Sequence, residues 1–515
     1  MRRAFPTADG NSNWVYSASD LCIIGSVNAL KEGLTIALEN EEKERNRTEA
    51  ASAPDGEYKN EAVFRDMPAA KALWTFAMPS IATMLVLLLY NLADTYFLGR
   101  VGNPYMVAAT SLVLPVYNVT IAFANLFGAG GGTLIARLMG RHDPEEAKKV
   151  SGFSVVMSVI VSVIFALIMY VFEDPILYFL GASDNTILYA RQYTFWVLII
   201  GALPSVLLHS MSNLAKNAGL SKEAGIGNVF STVMNIILDP IFMFVILPEG
   251  MEVVGAAVAT LISCIFNALY FIAIFRINRS RSVLRMLPTG GLPRKGSILS
   301  IFSVGIPAAL SMFLYDLTNI VINKLAAGHG DIPLAAIGIV LKAERLPLNI
   351  CVGLCMGMVP LVGYSYAAGN YKRMKEIHRT TQLHGCIISV ICIVLYEIFA
   401  GVIMNVFISD AETVALGTAY LRVRCLATIL MFACFNYTNF FQGVGMGKQA
   451  LILSVVRQLV FNIPILLILN SVLGMTGVIW TQFIADGCTA VVSIFVYRAT
   501  ARKTWDRLPQ SSSAA

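Results

Sequence analysis

The chain has 515 residues, of which 56% are hydrophobic and only 14% are charged, and its formal net charge is +6. Soluble globular domains usually carry about 25% charged residues, and a single water-soluble core stops growing at about 250–300 residues. This composition therefore indicates an integral membrane protein, and it argues against a nucleic-acid-binding protein or a cytosolic enzyme.

The beginning of the chain differs from the rest in composition. Residues 1–67 hold 8 Lys and Arg against 12 Asp and Glu, so their net charge is −4. Highly charged segments of this kind contain too little apolar surface to offset the entropy lost on folding. The sequence predicts a disordered cytoplasmic leader over residues 1–67.

The rest of the chain contains apolar runs of about 20 residues, which is the length that a helix needs to cross about 30 Å of hydrocarbon. They predict an all-α polytopic membrane protein with twelve transmembrane helices. The long runs 105–136 and 333–364 contain Gly and Pro, so we expect bent helices there. The predicted spans are 73–98, 105–136, 152–172, 188–212, 225–247, 253–275, 300–325, 333–364, 385–408, 415–440, 449–470 and 474–498.

Basic residues are concentrated in every second loop between these spans. The alternate loops are richer in acidic residues, such as Asp184, Glu252 and Asp410. Because basic loops remain on the cytoplasmic side of a membrane, we expect both termini in the cytoplasm, and an even number of spans agrees with this. The basic loops include Arg137, Arg141, Lys148 and Lys149, then Lys216 and Lys222, then Arg276 to Lys295, and then Lys372, Arg373, Lys375 and Arg379.

The second half of the sequence repeats features of the first half. The stretch Leu89–Asp94 is echoed by Leu314–Asn319, and Asn213–Ala224 matches Asn439–Ala450 at an offset of 226 residues. We interpret the repeat as two pseudo-symmetric six-helix bundles, an architecture that transporters use for alternating access. The predicted N-terminal bundle (N half) covers residues 68–275, a basic cytoplasmic linker covers 276–299, the C-terminal bundle (C half) covers 300–498, and a cytoplasmic tail covers 499–515.

Several polar residues stand inside the predicted spans of the N half. An ionisable group at the bilayer centre costs at least about 2.5–3.5 kcal/mol, so each one requires a reason. Asn235 and Asp239 share one helix face, as do Tyr90 and Asp94, because each pair is four residues apart; Thr260 adds a hydroxyl. Two carboxylates in such a pocket could take up a proton or bind a hard cation, although a single Asp could also serve a structural role.

The C half contains its own polar residues within predicted spans. Asp316 and Asn319 lie in the echo of the Asp94 stretch, and Glu397 and Asp486 lie in later spans. These four residues are candidates for a C-half polar site, with structural roles as the alternative for Glu397 and Asp486. Arg457 is expected to pair with one of the carboxylates rather than to contact a substrate.

Four stretches of the sequence are specific enough to indicate a family. They are MPSIATMLVLLLYNLADTYFLGRVG, NIILDPIFMF followed by GAAVAT, VPLVGYSYAAGNYKRMKE, and QGVGMGKQALILSVVRQ. With them the chain, over about residues 68–500, resembles the MATE (multidrug and toxic compound extrusion) family, and its DinF-like branch more closely.

The resemblance implies a secondary antiporter rather than an enzyme. Such a protein exports small amphipathic, often cationic, organic compounds in exchange for H⁺ or Na⁺, and it needs no other cofactor or metal. It implies a multi-pass protein of the bacterial plasma membrane that contacts lipid, binds no nucleic acid and acts as a monomer. The residues that match the family's N-lobe cation site are Tyr90, Asp94, Asn235, Asp239 and Thr260, with Na⁺ as one occupant of the two aspartates, and Pro79 matches the proline at which the first helix bends.

Another bacterial branch of the family places its cation site in the C lobe, and this chain departs from that pattern. Where that branch has Glu after the seventh-span proline, this chain has Ser311 and Met312, and its Leu426–Gln442 stretch contains no carboxylate. A lipid-linked oligosaccharide flippase of the same superfamily is the alternative function, but it should place several basic residues in a central cavity. A membrane-embedded enzyme is the third class, and no HExxH or GxSxG motif supports it.

Overall fold

The computed structural model describes residues 61–101, 103–248, 250–408 and 410–506, without the side chains of residues 61, 62, 91, 92, 94–96, 98–100, 104, 316, 327 and 331. The predicted leader lies outside the described residues up to residue 60. All regular structure in the described ranges is helical, which confirms the predicted all-α class.

Six spans make up the N half. The fourth contains a π-helical segment in its middle, and the fifth ends in another. Between the third and fourth spans lies the short helix Glu173–Phe179. The spans are Ala69–Arg100, Pro104–Gly140, Pro144–Val171, Ile187–Thr194 with π-helical Phe195–Ile200 and Ala202–Asn217, Ser221–Ile241 with π-helical Phe242–Ile246, and Glu252–Ile277.

Six further spans make up the C half; the eighth and tenth of the molecule are interrupted, and the eleventh contains a π-helical segment. They are Lys295–Ala327, Asp331–Ala343 with Arg345–Ala367, Tyr371–Phe407, Ala411–Cys425 with Thr428–Gly443, Gly447–Val455 with π-helical Val456–Asn462 and Ile463–Leu473, and Met475–Lys503.

These helices confirm the twelve predicted spans. Ten helices in the described residues are long and apolar enough to cross a membrane, and two bent pairs bring the number to twelve if each pair is one span. Several helices extend past their apolar runs: the ninth begins at Tyr371 rather than at 385, because its first turns are charged and the apolar run marks only the part in hydrocarbon.

Two breaks with a strong bend lie in spans other than those predicted to bend. Bends of 50° and 44° occur in the fourth and tenth spans, at Gly201 and at residues 426–427. The second span, which was expected to bend, is one continuous helix from Pro104 to Gly140, and the eighth is interrupted at Glu344. Gly and Pro inside a span therefore predict the position of a break only in part.

Side-chain caps fix where several helices begin. The carboxylate of Asp143 accepts a hydrogen bond from the backbone N–H of Glu146 at 3.2 Å, and Pro144 occupies the first helical position. The amide of Asn370 caps the ninth span in the same way, at 3.0 Å from the N–H of Arg373. Each cap satisfies an N–H that lacks a partner within its own helix.

Each half has its own apolar core. The N-half core includes Phe165, Met169 and Leu198, and the C-half core includes Ile337 and Met404. The two halves meet where the first span packs on the eighth and the second packs on the seventh.

The closest approaches between the halves lie at the end of the molecule that carries the basic loops. A Cβ atom added at Gly357 would lie 2.6 Å from the Cα of Ala77, and one added at Gly305 would lie 2.1 Å from the carbonyl oxygen of Leu126. Glycine permits this backbone-to-backbone contact between membrane helices. The two halves are therefore packed tightly together at that end.

Polar contacts join the linker and the seventh span to the N half at the same end. The buried carboxylate of Glu146 accepts hydrogen bonds from the backbone N–H of Arg294 at 2.7 Å and from the hydroxyl of Ser297 at 2.6 Å. It thereby supplies the acceptor that the first turn of the seventh span requires. The guanidinium of Arg137 adds a bond to Ser300 at 3.0 Å.

The structure corrects the predicted end of the leader, because its last residues are ordered. Phe64, in the short helix Glu61–Arg65, is fully buried and stacks on Tyr364 with ring centroids 5.0 Å apart. Arg373 donates hydrogen bonds to the carbonyl oxygens of Phe64 and Met67. The buried ring of Phe64 and the two hydrogen bonds from Arg373 hold these residues against the eighth and ninth spans.

Candidate functional sites

The fifth span carries the centre of the predicted N-half site, and it packs between the first and sixth spans. The amide nitrogen of Asn235 donates to Oδ1 of Asp239, one turn along the same helix, at 3.2 Å. The same nitrogen lies 3.4 Å from the hydroxyl oxygen of Thr260 on the sixth span. Three of the predicted cation-site residues therefore meet in one place.

Asp239 lies inside the protein, next to a break in regular helix geometry. Asp239 is fully buried, Asn235 is 5% exposed, and Pro240 and a π-helical segment follow directly. The buried Oδ1 of Asn235 has no hydrogen-bond partner among the described residues. A carboxylate, an amide oxygen and a hydroxyl are the ligands that a hard cation prefers, and the carboxylate is also a proton acceptor.

The other residues predicted for this site lie on the first span. Tyr90 is partly buried there. The side chain of Asp94 lies outside the described residues, so its place in the site remains a prediction. The two side-chain distances given above lie within the fifth span and between the fifth and sixth spans.

Pro79, the predicted hinge, lies within the first span where that span touches the fifth. A Cβ atom added at Gly225 of the fifth span would lie 2.5 Å from the Cβ of Pro79. The carbonyl oxygen of Phe76, one turn before Pro79, accepts a hydrogen bond from the hydroxyl of Ser221 at 3.0 Å. Proline cannot donate to the preceding turn, so this part of the helix is held by neighbouring spans; a bending role for Pro79 is untested.

A second polar site, which we call the C-half chamber, lies inside the C half. It is a small cavity between the seventh, eighth, tenth, eleventh and twelfth spans. Its polar lining includes Tyr315, Asn319, Glu344, Arg424, Asn462 and Gln482.

Two buried ion pairs stand at this chamber. Arg424 donates through Nε and Nη2 to both carboxylate oxygens of Glu344, each at 2.8 Å. Arg457 donates to both oxygens of Asp486 at 2.8 and 3.2 Å, and Gln482 donates to the same carboxylate at 2.6 Å. In such bidentate ion pairs each charge is neutralised by the other, which offsets the high cost of burying a single charge.

Three irregularities of the backbone converge on the chamber. Glu344 stands at the interruption of the eighth span, Arg424 stands next to the bend of the tenth, and Asn462 ends the π-helical segment of the eleventh. At membrane depth such irregular backbone is found where it is buried in protein or lines a cavity, and π-helical segments often occur at functional sites.

The structure divides the residues predicted for the C-half site. Asn319 lines the chamber, and Asp486 is fully buried next to it. Glu397 does not line the chamber; its side chain is 39% exposed and lies 3.7 Å from Arg422, and its part in a C-half polar site stays a prediction. The side chain of Asp316 lies outside the described residues. The prediction that Arg457 pairs with one of the carboxylates is confirmed by its contact with Asp486.

The sequence analysis missed Glu344 and Arg424. Both stand inside predicted spans, where a charged side chain is costly and is expected to be paired or functional, so they were candidates on the same ground as Asp94 and Asp239. Their pairing has no signal in the sequence, because they are on different helices and 80 positions apart.

Two halves of six spans, each with buried polar side chains between its helices, define a multi-pass membrane protein built like a transporter. Comparison with known proteins agrees. The MatE family model matches residues 79–241 and 307–468, one stretch in each half. The chain belongs to the MATE family.

The relatives are transporters and not enzymes. The multidrug export protein MepA of Staphylococcus haemolyticus (strain JCSC1435) is 34% identical over 445 residues, which are 86% of this chain and 97% of the relative. MepA of Staphylococcus aureus (strain MSSA476) is 33% identical over 444 residues, with the same coverage. A solved structure described as the outward-facing conformation of a multidrug resistance MATE family transporter matches with a TM-score of 0.82 and 25% identity, over 87% of this chain and 99% of that chain.

Proposed function

We propose that this protein is a secondary antiporter of a bacterial plasma membrane, which exports small amphipathic organic compounds in exchange for H⁺ or Na⁺. The names of the MepA relatives support multidrug export. The basic loops support an orientation with both termini in the cytoplasm.

The observation that carries ion coupling is the setting of Asp239. Its carboxylate is fully buried, and it accepts a hydrogen bond from the neutral amide of Asn235. A proton or a Na⁺ ion bound here would remove a buried negative charge, so the occupied and empty sites favour different packing. Asp94, on the adjoining first span, is the predicted second carboxylate.

The proposed cycle joins this site to movement of the two halves. Neutralising the N-half site changes the packing of the first span near Pro79, which lowers the affinity for the organic substrate on the outer side and favours return of the empty protein inward. Tight packing of the halves at the basic-loop end supports an outward-facing state. Coupling requires that each ligand prefers one state, because a ligand that binds both equally shifts nothing.

The test is substrate efflux measured in inside-out vesicles under a pH gradient and, separately, under a Na⁺ gradient. Wild type, Asp94→Asn and Asp239→Asn are compared, with the exposed Glu397→Gln as the matched control. We expect one gradient to drive efflux by wild type and by the control, and neither variant to respond to it.

Two results would contradict the proposal. Full gradient-driven efflux by both aspartate variants would show that the coupling site is elsewhere. If no organic compound moved under either gradient while a lipid-linked oligosaccharide crossed the membrane, the protein would be a flippase.

A further inference from the structure

The C-half chamber has unused hydrogen-bonding capacity of both kinds. Nη1 of Arg424 is a buried donor, and Oδ1 of Asn462 is a buried acceptor; neither has a partner among the described residues. Arg424 and Asn462 are 4% and 1% exposed. Leaving such groups without a partner is costly, so a water molecule or a ligand must provide an acceptor for one and a donor for the other.

The charges around the chamber restrict that ligand. Glu344 balances Arg424 and Asp486 balances Arg457, so the two buried ion pairs together carry no net charge. A ligand with a net charge would leave that charge uncompensated in a buried place. A ligand of no net charge that has a negative and a positive end would not.

The size and position of the chamber restrict it further. The free volume is about 20 Å³, enough for water or for the polar end of a larger molecule. Tyr315 and Asn319 belong to the seventh span, which packs on the second span of the N half. The chamber therefore lies directly behind a helix that borders the other half, where transporters of this architecture hold substrate.

We propose that the C-half chamber binds the dipolar, net-neutral end of an amphipathic substrate. A carboxylate oxygen of the substrate accepts from Nη1 of Arg424, and an ammonium N–H donates to Oδ1 of Asn462. This inference depends on the proposed export function and adds a substrate class to it, since it predicts that zwitterions have a polar site that simple organic cations do not use.

The test compares two fluorescent amphiphiles that differ at one group. Nε-dansyl-lysine carries an ammonium and a carboxylate at one end and is a zwitterion, and its methyl ester is a cation. Binding of each to the full-length protein in detergent is measured by fluorescence polarisation. One variant is Arg424→Lys, which keeps the positive charge but cannot make two parallel hydrogen bonds to Glu344. The other is the double variant Glu344→Gln with Arg424→Gln, which removes both charges.

The matched control is the neutral pair Glu397→Gln with Arg422→Gln. Arg422 is two residues before Arg424, and its pair with Glu397 lies outside the chamber. We expect both chamber variants to weaken binding of the zwitterion on the order of tenfold, as for a hydrogen bond to a charged group. Binding of the ester should stay within about twofold, and the control should change neither.

Other outcomes overturn the inference. An equal loss for both dyes would show that the pairs only hold the helices, and no loss for either would show that the chamber holds water only. Failure of wild type to bind the zwitterion would also overturn it. Efflux of the ester in vesicles under a pH or Na⁺ gradient separates this inference from the proposed export function. If the export function is wrong, the ester is not exported; if only the role of the chamber is wrong, the ester is still exported.

Discussion

Asp239 in the N half and Asp486 in the C half are both fully buried aspartates on membrane-spanning helices. Asp239 accepts a hydrogen bond from the neutral amide of Asn235, whereas Asp486 accepts hydrogen bonds from two nitrogens of Arg457 and from Gln482. A carboxylate with a permanent cationic partner cannot take up a second cation without leaving a charge uncompensated. Burial alone therefore does not mark a coupling site; the charge of the partner decides.

The internal repeat sharpens this contrast. At the offset of 226 residues, Ser231 corresponds to Arg457 and Thr260 corresponds to Asp486. In the N half, the hydroxyl of Ser231 on the fifth span donates to the carbonyl oxygen of Ser263 on the sixth at 3.0 Å. The corresponding pair of helices in the C half is joined by an ion pair instead. The contact between the fifth and sixth helices of each half is thus made by neutral groups in the N half and by an ion pair in the C half.

The largest expected difference between the halves is in stability. Asp486→Asn leaves the guanidinium of Arg457 buried without its counter-charge, so we expect the free energy of unfolding to fall by about 3–5 kcal/mol. Asp239→Asn keeps an oxygen that can accept the hydrogen bond from the amide of Asn235, and we expect a change within about 1 kcal/mol. Thermal denaturation of the purified protein in detergent, followed by size-exclusion chromatography, measures both.

The neutral double variant Arg457→Gln with Asp486→Asn is the control for this prediction. It removes both charges together, so it should recover most of the stability lost in the single variant. If the double variant were as unstable as Asp486→Asn, the loss would come from packing, and the contrast between the halves would not rest on charge.

The sequence predicted the N-half site better than the chamber, and the reason is local spacing. Asn235 and Asp239 are one helical turn apart, so their shared face follows from periodicity alone. Thr260 is on the next helix, and only its polarity within an apolar run pointed to it. Glu344 and Arg424 meet because two spans are interrupted at or next to these residues. No pattern in the sequence predicts the interruption at Glu344.

The next prediction concerns glycines in contacts that recur in both halves. In the N half, a Cβ at Gly225 would lie 2.5 Å from Pro79, and in the C half a Cβ at Gly447 would lie 1.6 Å from the carbonyl oxygen of Ser303. Overpacking of this kind costs about 1–3 kcal/mol, so Gly225→Ala and Gly447→Ala should both lower the denaturation midpoint. If Pro79 is the hinge, Gly225→Ala should in addition slow efflux by more than Gly447→Ala does.

Gly338→Ala provides the matched control, because a Cβ there has no neighbour within 4 Å. It should leave the denaturation midpoint unchanged or raise it slightly, since Ala favours a helix over Gly by up to about 1 kcal/mol. Equal slowing of efflux by Gly225→Ala and Gly447→Ala would remove the special role of the first span.

The smallest expected effect comes from the hydroxyl of Thr260, which lies 3.4 Å from the amide nitrogen of Asn235. Thr260→Val keeps the shape of the side chain but loses this contact, which is worth about 0.5–1.5 kcal/mol. We expect the concentration of H⁺ or Na⁺ that drives half-maximal efflux to rise by about 2–13-fold, and Thr260→Ser to behave like wild type. Thr489→Val, at a buried threonine of the twelfth span whose hydroxyl bonds within its own helix, should leave that concentration unchanged. If both valine variants shifted it equally, the hydroxyl of Thr260 would matter for packing and not for the ion, and the N half would lose its distinction from the C half as the place where the ion binds.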